Sequence, residues 1–256
     1  MDIQRHQKEI LLNQSFWQKK PILQAIYRGF HRLIAGQLSG LARPLVVELG
    51  SGIGNIKEVI PDCLRTDLFP NPWIDQVENA YQLSFDDGTV SDLILFDVFH
   101  HLHYPGTALQ EFWRVLRSPE SATGRPGGRV LIFDPCISWL GALVYGAFHP
   151  EPVAYRAPII WDAPPGWSAT QADYYAAQGN ATRIFFGRER SSLPANWDVI
   201  HRERFSAVAY VASGGYSKPQ YYPDSLYPAL HTIERVLDRF PALFATRLLV
   251  ALEKKA

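Results

Sequence analysis

The sequence predicts an α/β fold in which a mostly parallel sheet is wrapped by helices. Short apolar runs at 45–49, 63–68, 74–80, 91–96, 129–133, 198–205 and 247–253 alternate with helical or loop segments, the pattern of strands joined by crossovers. The first run, Leu45-Val46-Val47-Glu48-Leu49, leads straight into a glycine-rich turn, as a buried parallel strand feeding a ligand loop does. A chain of 256 residues suffices for one large domain with a full core and leaves little room for a second.

Ahead of the first strand, apolar residues from Ile10 to Ile34 recur close to the helical period, with a break near Pro21. This predicts two amphipathic helices, an N-terminal cap over 1–40 preceding a main domain over 41–256. Leu109–Leu116 reads as a crossover helix, and the polar stretch between Leu116 and Gly127 as a surface loop. From about 136 to 196 the periodicity degrades and proline, tryptophan and tyrosine become dense, which marks an inserted lid or substrate-facing segment. Its start, Pro135–Phe148, is apolar but shorter than the roughly 20 residues of a membrane span; a lid helix or an interfacial segment fits it. Tyr221–Phe244 is again helical in pattern, with Leu226, Leu230, Ile233, Val236, Leu237 and Phe240 on one stripe.

Composition narrows the partners. Basic and acidic residues balance at 25 each, so no field draws the chain to nucleic acid. Cys63 and Cys136 form neither a disulfide framework nor, with histidines, a metal-site spacing. The charged start MDIQRHQKEILLNQ has no signal-peptide core. The expectation is a cytoplasmic protein without a metal or nucleic-acid partner, with peripheral membrane contact left open by the apolar stretch.

Chemistry concentrates at Glu48-Leu49-Gly50-Ser51-Gly52-Ile53-Gly54-Asn55. Glycines at a strand end let the backbone turn tightly and approach a bound nucleotide. A dinucleotide fingerprint needs a glycine at the sixth position counted from Gly50, where Asn55 stands, and Glu48 would repel a pyrophosphate. A carboxylate there suits a cationic ligand instead.

The run Glu48–Gly54 resembles motif I of the class I S-adenosylmethionine-dependent methyltransferases. Leu93–Leu102 (LILFDVFHHL) is similar to that family's fourth-strand motif, and Phe112–Arg117 followed by Pro126-Gly127-Gly128 and Arg129–Ile132 to its helix, turn and fifth strand. The resemblance is clearest from Val46 to Pro135 and implies a Rossmann-like seven-stranded sheet and an S-adenosylmethionine cofactor. The implied acceptor is a small molecule, with quinone precursors, lipids and sugars the nearest classes. It further implies that Gly50, Ser51, Gly52 and Gly54 line the cofactor, that Glu48 approaches its amino group, and that Asp67 accepts the ribose hydroxyls, with Asp62 as substitute. Asn79 and Ala80 would contact adenine. Because Asp67 follows Gly54 closely, the first helix, around Ile56–Ile60, must be short.

Asp97, at the end of the fourth strand, reads either as a ligand residue or as a cap for the next helix. His100 and His101 are candidate catalytic residues, because an imidazole can take a proton from an acceptor near neutral pH. Weaker candidates are His103, Tyr104, Asp134, His149, Glu151, Tyr174 and Tyr175. Trp161 and Trp167 either stack on an acceptor or staple the insertion down. The turn Ser213-Gly214-Gly215 matches no cofactor motif. The rival functions are a non-catalytic S-adenosylmethionine-binding protein and a nicotinamide-dependent oxidoreductase.

Overall fold

Seven strands form one sheet in the order β3-β2-β1-β4-β5-β7-β6. They are β1 (Val46–Leu49), β2 (Leu64–Asp67), β3 (Gln76–Val77), β4 (Asp92–Phe96), β5 (Arg129–Pro135), β6 (Trp197–Phe205) and β7 (Arg247–Lys254), each inside or overlapping a predicted run. The computed structural model describes residues 3–148, 157–171 and 179–256. Only β7 runs antiparallel to its neighbours, β5 and β6. The strand order reverses between β1 and β4, which opens a crevice at their C-terminal ends.

Every residue of β1 and β4 is buried, because helices cover both faces and the polar-out alternation of a one-sided sheet has no use here. Val47, Leu93 and Leu95 pack on Leu109 and Phe112 of α3 (Pro105–Val115), while Val46, Ile94 and Phe96 pack on the cap helices. Those are α1 (Ile3–Lys19) and α2 (Pro21–Ala35), broken at Pro21 as the sequence requires. The crossover after β1 shrinks to one 3₁₀ turn, Asn55–Glu58.

The remaining helices are α4 (Trp139–Phe148), α5 (Asn180–Phe186), α6 (Val208–Ala212), α7 (Tyr227–Leu237) and α8 (Pro241–Phe244). Of the stripe read at 226–240, Leu226, Ile233, Val236 and Phe240 are exposed, Leu237 is half-buried and Leu230 packs partly buried on the core. Glu234 takes the inward position because its carboxylate accepts the Ala209 N–H at the start of α6 (2.8 Å). A polar tie thus sets the roll of α7 against its apolar pattern.

The turn at Ser213-Gly214-Gly215 has a structural purpose. Lys20, between α1 and α2, is buried, and its ammonium donates to the carbonyls of Ser213 (2.9 Å), Gly215 (2.6 Å) and Lys218. Burial lowers its pKa, and the carbonyls replace the water it gives up. This cage fastens the cap to the segment carrying Tyr210 and Tyr216. Lys20→Met should leave three carbonyls without a donor and destabilise the protein by about 2–3 kcal/mol in urea unfolding. Lys20→Arg should not rescue it, since a planar guanidinium cannot reproduce the cage.

Candidate active site

At the end of β1 the backbone takes left-handed φ at Gly50 (+70°), Gly52 (+55°) and Gly54 (+67°). A side chain on Gly50 would collide with Val98, and one on Gly54 with the Trp73 carbonyl and Arg65, so protein fills those spaces. Over Gly52 the nearest atom is Ile10 Cδ1, 3.7 Å from an ideal Cβ and contributed by α1 rather than the sheet. Ser51 N donates to the Thr66 carbonyl (2.7 Å) and Gly52 N to the Asp67 carboxylate (3.1 Å), which fixes the loop to β2.

Two carboxylates flank this loop. Glu48 on β1 is 3% exposed, and its Oε2 has no hydrogen-bond partner among the described residues. Its pKa rises from 4.5 to about 7, because burial disfavours the charged form. The hydroxyls of Thr66 (2.8 Å) and Ser51 (3.2 Å) donate to the Glu48 backbone carbonyl, and Ser51 and the Arg65 charge oppose the rise at the carboxylate. Burial also raises the pKa of Asp67, which ends β2; His6 and the Gly52 N–H oppose the rise. His6 of α1 stands with Nε2 3.7 Å from the Asp67 carboxylate and its ring 5.1 Å from that of Phe69.

Asp97, at the tip of β4, also has left-handed φ (+55°), and its N–H donates to the Phe133 carbonyl (2.8 Å). Its carboxylate pairs with Arg247, the first residue of β7. The helix-cap alternative does not hold: the next 3₁₀ turn, Phe99–His101, has no side-chain cap. Arg247 is 2% exposed, lies 4.5 Å from the Tyr210 ring centre, and has an Nε without a partner among the described residues.

Glu48, Gly50, Ser51, Gly52 and Asp97 line one cavity of about 240 Å³. The cap supplies its roof through Asn13, Tyr27 and His31, and Tyr210 and Tyr216 complete the wall. Burial lowers the His31 pKa to about 4, so this imidazole is neutral at physiological pH, and its Nδ1 lacks a partner among the described residues.

Other predicted residues lie elsewhere. His100 is 2% exposed with Nδ1 2.9 Å from Asp134, and its ring packs on His101 at 3.9 Å; neither lines the cavity. Asn79 donates to the Ala169 carbonyl (3.0 Å), so the insertion covers the stretch with Ala80. Trp167 meets Tyr81 and Tyr104 edge-on at 5.1 and 5.2 Å, and the Trp161 carbonyl accepts the Gly106 N–H (2.8 Å), as staples do. There an outer groove of about 460 Å³ opens between Tyr81, Gln110, Asp162 and Trp167, away from the glycine loop. Asp62 is exposed. The rings of His103 and Tyr104 stack on each other at 4.5 Å. His149, Glu151, Tyr174 and Tyr175 lie outside the described residues. No group of His, Cys, Asp and Glu among the described residues is arranged to hold a metal.

Sequence reasoning missed His6, Asn13, Tyr27, His31, Tyr210, Tyr216 and Arg247. The only available signals were polar residues inside amphipathic cap helices and an arginine opening an otherwise apolar strand.

Residues 48–120 match the family model described as a methyltransferase domain, covering the glycine loop through the loop after α3. The fold is that of a Haloferax volcanii putative methyltransferase solved with the Trm112 methyltransferase activator: 16% identity, 90% of each chain covered, TM-score 0.51. An S-adenosylmethionine-dependent methyltransferase from Archaeoglobus fulgidus aligns at 11% identity over 91% of this chain and 94% of that one, TM-score 0.48. No curated protein matches. Residues 48–120 are thus similar to a methyltransferase domain, and the α/β fold is one shared with the Haloferax volcanii protein.

The state of Glu48 is testable through stability. Its folded pKa lies above its unfolded one, so the folded form gains from the protonated carboxyl below pH 4.5 and loses that gain as pH rises to about 7. Compared with Glu48→Gln, the wild type should lose on the order of 3 kcal/mol across that window in urea unfolding. A pH-independent difference would show that the carboxylate is not desolvated.

Proposed function

We propose that the cavity over Gly52 is the S-adenosylmethionine site and that the enzyme methylates a small, amphipathic acceptor of lipid-linked, quinone-like or sugar-linked type. The observation carrying the first half is the buried Glu48 carboxylate, whose Oε2 has no partner among the described residues, beside Gly52, over which only Ile10 of α1 comes within 4 Å of an ideal Cβ. A buried carboxylate without a partner is costly until a cation meets it, and this cofactor carries an ammonium. When bound, S-adenosylmethionine supplies an electrophilic methyl group on a sulfonium.

In this reading Glu48 holds the ammonium, the Gly50–Gly54 backbone cradles the methionyl portion, and Asp67 accepts the ribose hydroxyls. Asp97, held by Arg247, fixes the floor of the cavity, and the surrounding rings of Tyr27, Phe96, Tyr210 and Tyr216 exclude water. Alignment in a dry pocket is most of what such a displacement needs. His100, bonded to Asp134, is a positioning residue that with His101 steadies the turn after Asp97. His31 is the neutral imidazole at the cavity and offers an acceptor hydroxyl a hydrogen-bond partner.

The cavity, about 240 Å³, is smaller than the roughly 300–1,000 Å³ of sites for drug-sized ligands. Cofactor entry therefore moves α1, taking Ile10 off Gly52 and His6 off Asp67. In calorimetric titrations with S-adenosylmethionine and S-adenosylhomocysteine, the wild type should bind at micromolar concentration. Asp67→Ala should weaken binding by about 10- to 100-fold through two lost charge-assisted hydrogen bonds, and Gly52→Val should abolish it. His6→Ala should tighten it. A wild type that binds neither compound, or an Asp67→Ala variant of unchanged affinity, would remove this assignment.

A further inference from the structure

The ten-residue helix α4, WLGALVYGAF, contains no charged residue. Its inward face is used: Tyr145 donates to the Thr246 carbonyl (2.9 Å) and Gly141 packs against the Cys136 and Ala245 carbonyls. Its outward face is Trp139, Ala142, Leu143, Gly146 and Ala147, all exposed, with Trp139 at 79% and Leu143 at 60%. These positions recur at helical spacing, so they form one continuous stripe. α8 lies beside the first turn of α4, where the Ser138 hydroxyl donates to the Leu243 carbonyl (3.1 Å). It adds exposed Leu243, and Phe240 just before it is 56% exposed. Globular surfaces rarely leave such contiguous apolar faces open without a partner.

Charge selects the partner. At this end of α7, Arg235 and Arg239 are exposed beside Phe240. Of the neighbouring acids, Glu234 is buried on the Ala209 N–H and Asp238 accepts the Ser206 N–H and hydroxyl (2.6 and 2.8 Å). The charges that α7 leaves facing out beside Phe240 are therefore basic. An uncharged face carrying a tryptophan and rimmed by arginines matches an interface of acyl chains and anionic headgroups.

Position ties this face to the chemistry. α4 begins four residues after β5 ends at Pro135, and α8 ends three residues before Arg247. Pro135 and Arg247 face each other in register, and Arg247 holds Asp97 at the cavity floor. The apolar face and the cavity thus share one end of the sheet.

We propose that the α4–α8 face docks on an anionic lipid surface and that the acceptor reaches the Asp97 end of the sheet from that surface. The docking stands on the face itself; the acceptor's route rests on the amphipathic-acceptor reading above. No helix among the described residues is long and apolar enough to cross a membrane, so the contact is peripheral.

Flotation with vesicles of phosphatidylcholine alone, or mixed with phosphatidylglycerol, tests this. The full chain should float with the mixed vesicles at low salt, less at high salt, and weakly with phosphatidylcholine. Trp139→Ser and Leu143→Ser should each cost about tenfold in partition, and Arg235→Glu with Arg239→Glu should remove the preference for the anionic vesicles. Leu11→Ser, an exposed apolar position on α1, should change nothing. Each variant should keep the wild-type unfolding temperature and S-adenosylhomocysteine affinity. Wild type that binds S-adenosylhomocysteine but floats with neither vesicle overturns the docking alone. So does an equal loss from Leu11→Ser, or a solution dimer that Leu143→Ser dissociates without any vesicle binding. Vesicle binding without S-adenosylhomocysteine binding instead sinks the cofactor reading and leaves the docking standing.

Discussion

Between Leu49 and Asn55 the chain must turn within a space bounded by Val98 on one side and by Trp73 and Arg65 on the other. Left-handed backbone at three positions is the solution, and only glycine adopts it there without strain or collision. Ser51 and Gly52 are then delivered, with their N–H groups, to the Thr66 carbonyl and the Asp67 carboxylate at the end of β2. The turn thereby locks β1 to β2 and leaves above Gly52 a gap that only Ile10 of α1 reaches, on the side where the strand order reverses. The cavity, the carboxylates around it and the cap helix over it all take their places from that gap.

Three carboxylates, Glu48, Asp67 and Asp97, stand around this crevice. Arg247 is committed to Asp97, and His6 stands against Asp67, while the Glu48 Oε2 is buried without a hydrogen-bond partner among the described residues. A group in that position costs stability in the free protein and gains most from a cationic ligand. The left-handed conformation of Asp97, a residue with a Cβ to accommodate, is a second local cost in the same place. Both are sustained by a well-packed sheet whose central strands have no solvent-facing side. The cap lowers the exposure of the crevice, and Lys20 anchors it through carbonyls nearly two hundred residues away in the chain.

The central strands β1, β4 and β5 were legible because a strand covered on both faces must be a short apolar run, and these runs are bounded by glycine, proline or polar residues. The glycine loop, Glu48 and Asp67 were legible as a spacing. The cap residues were not: periodicity marks that Tyr27 and His31 face inward, not that they face a cavity over β1. Arg247 was hidden as the first letter of an apolar strand, and its partnership with Asp97 spans 150 residues. The Ser213-Gly214-Gly215 turn made no sense until Lys20 was beside it. The stripe on α7 held only in part: Leu230 packs on the core, but Glu234 and Asp238 fix the roll of that helix by polar ties and leave Ile233 and Val236 outward.

Structure determination of the complex with S-adenosylhomocysteine tests the central claim most directly, namely that the gap above Gly52 is the cofactor site and α1 its cover. The account predicts the ligand's amino group at Glu48, its ribose at Asp67, and α1 displaced so that Ile10 no longer covers Gly52. Ligand bound in the outer groove between Tyr81 and Trp167, with His6 still against Asp67 and Ile10 still on Gly52, would contradict it.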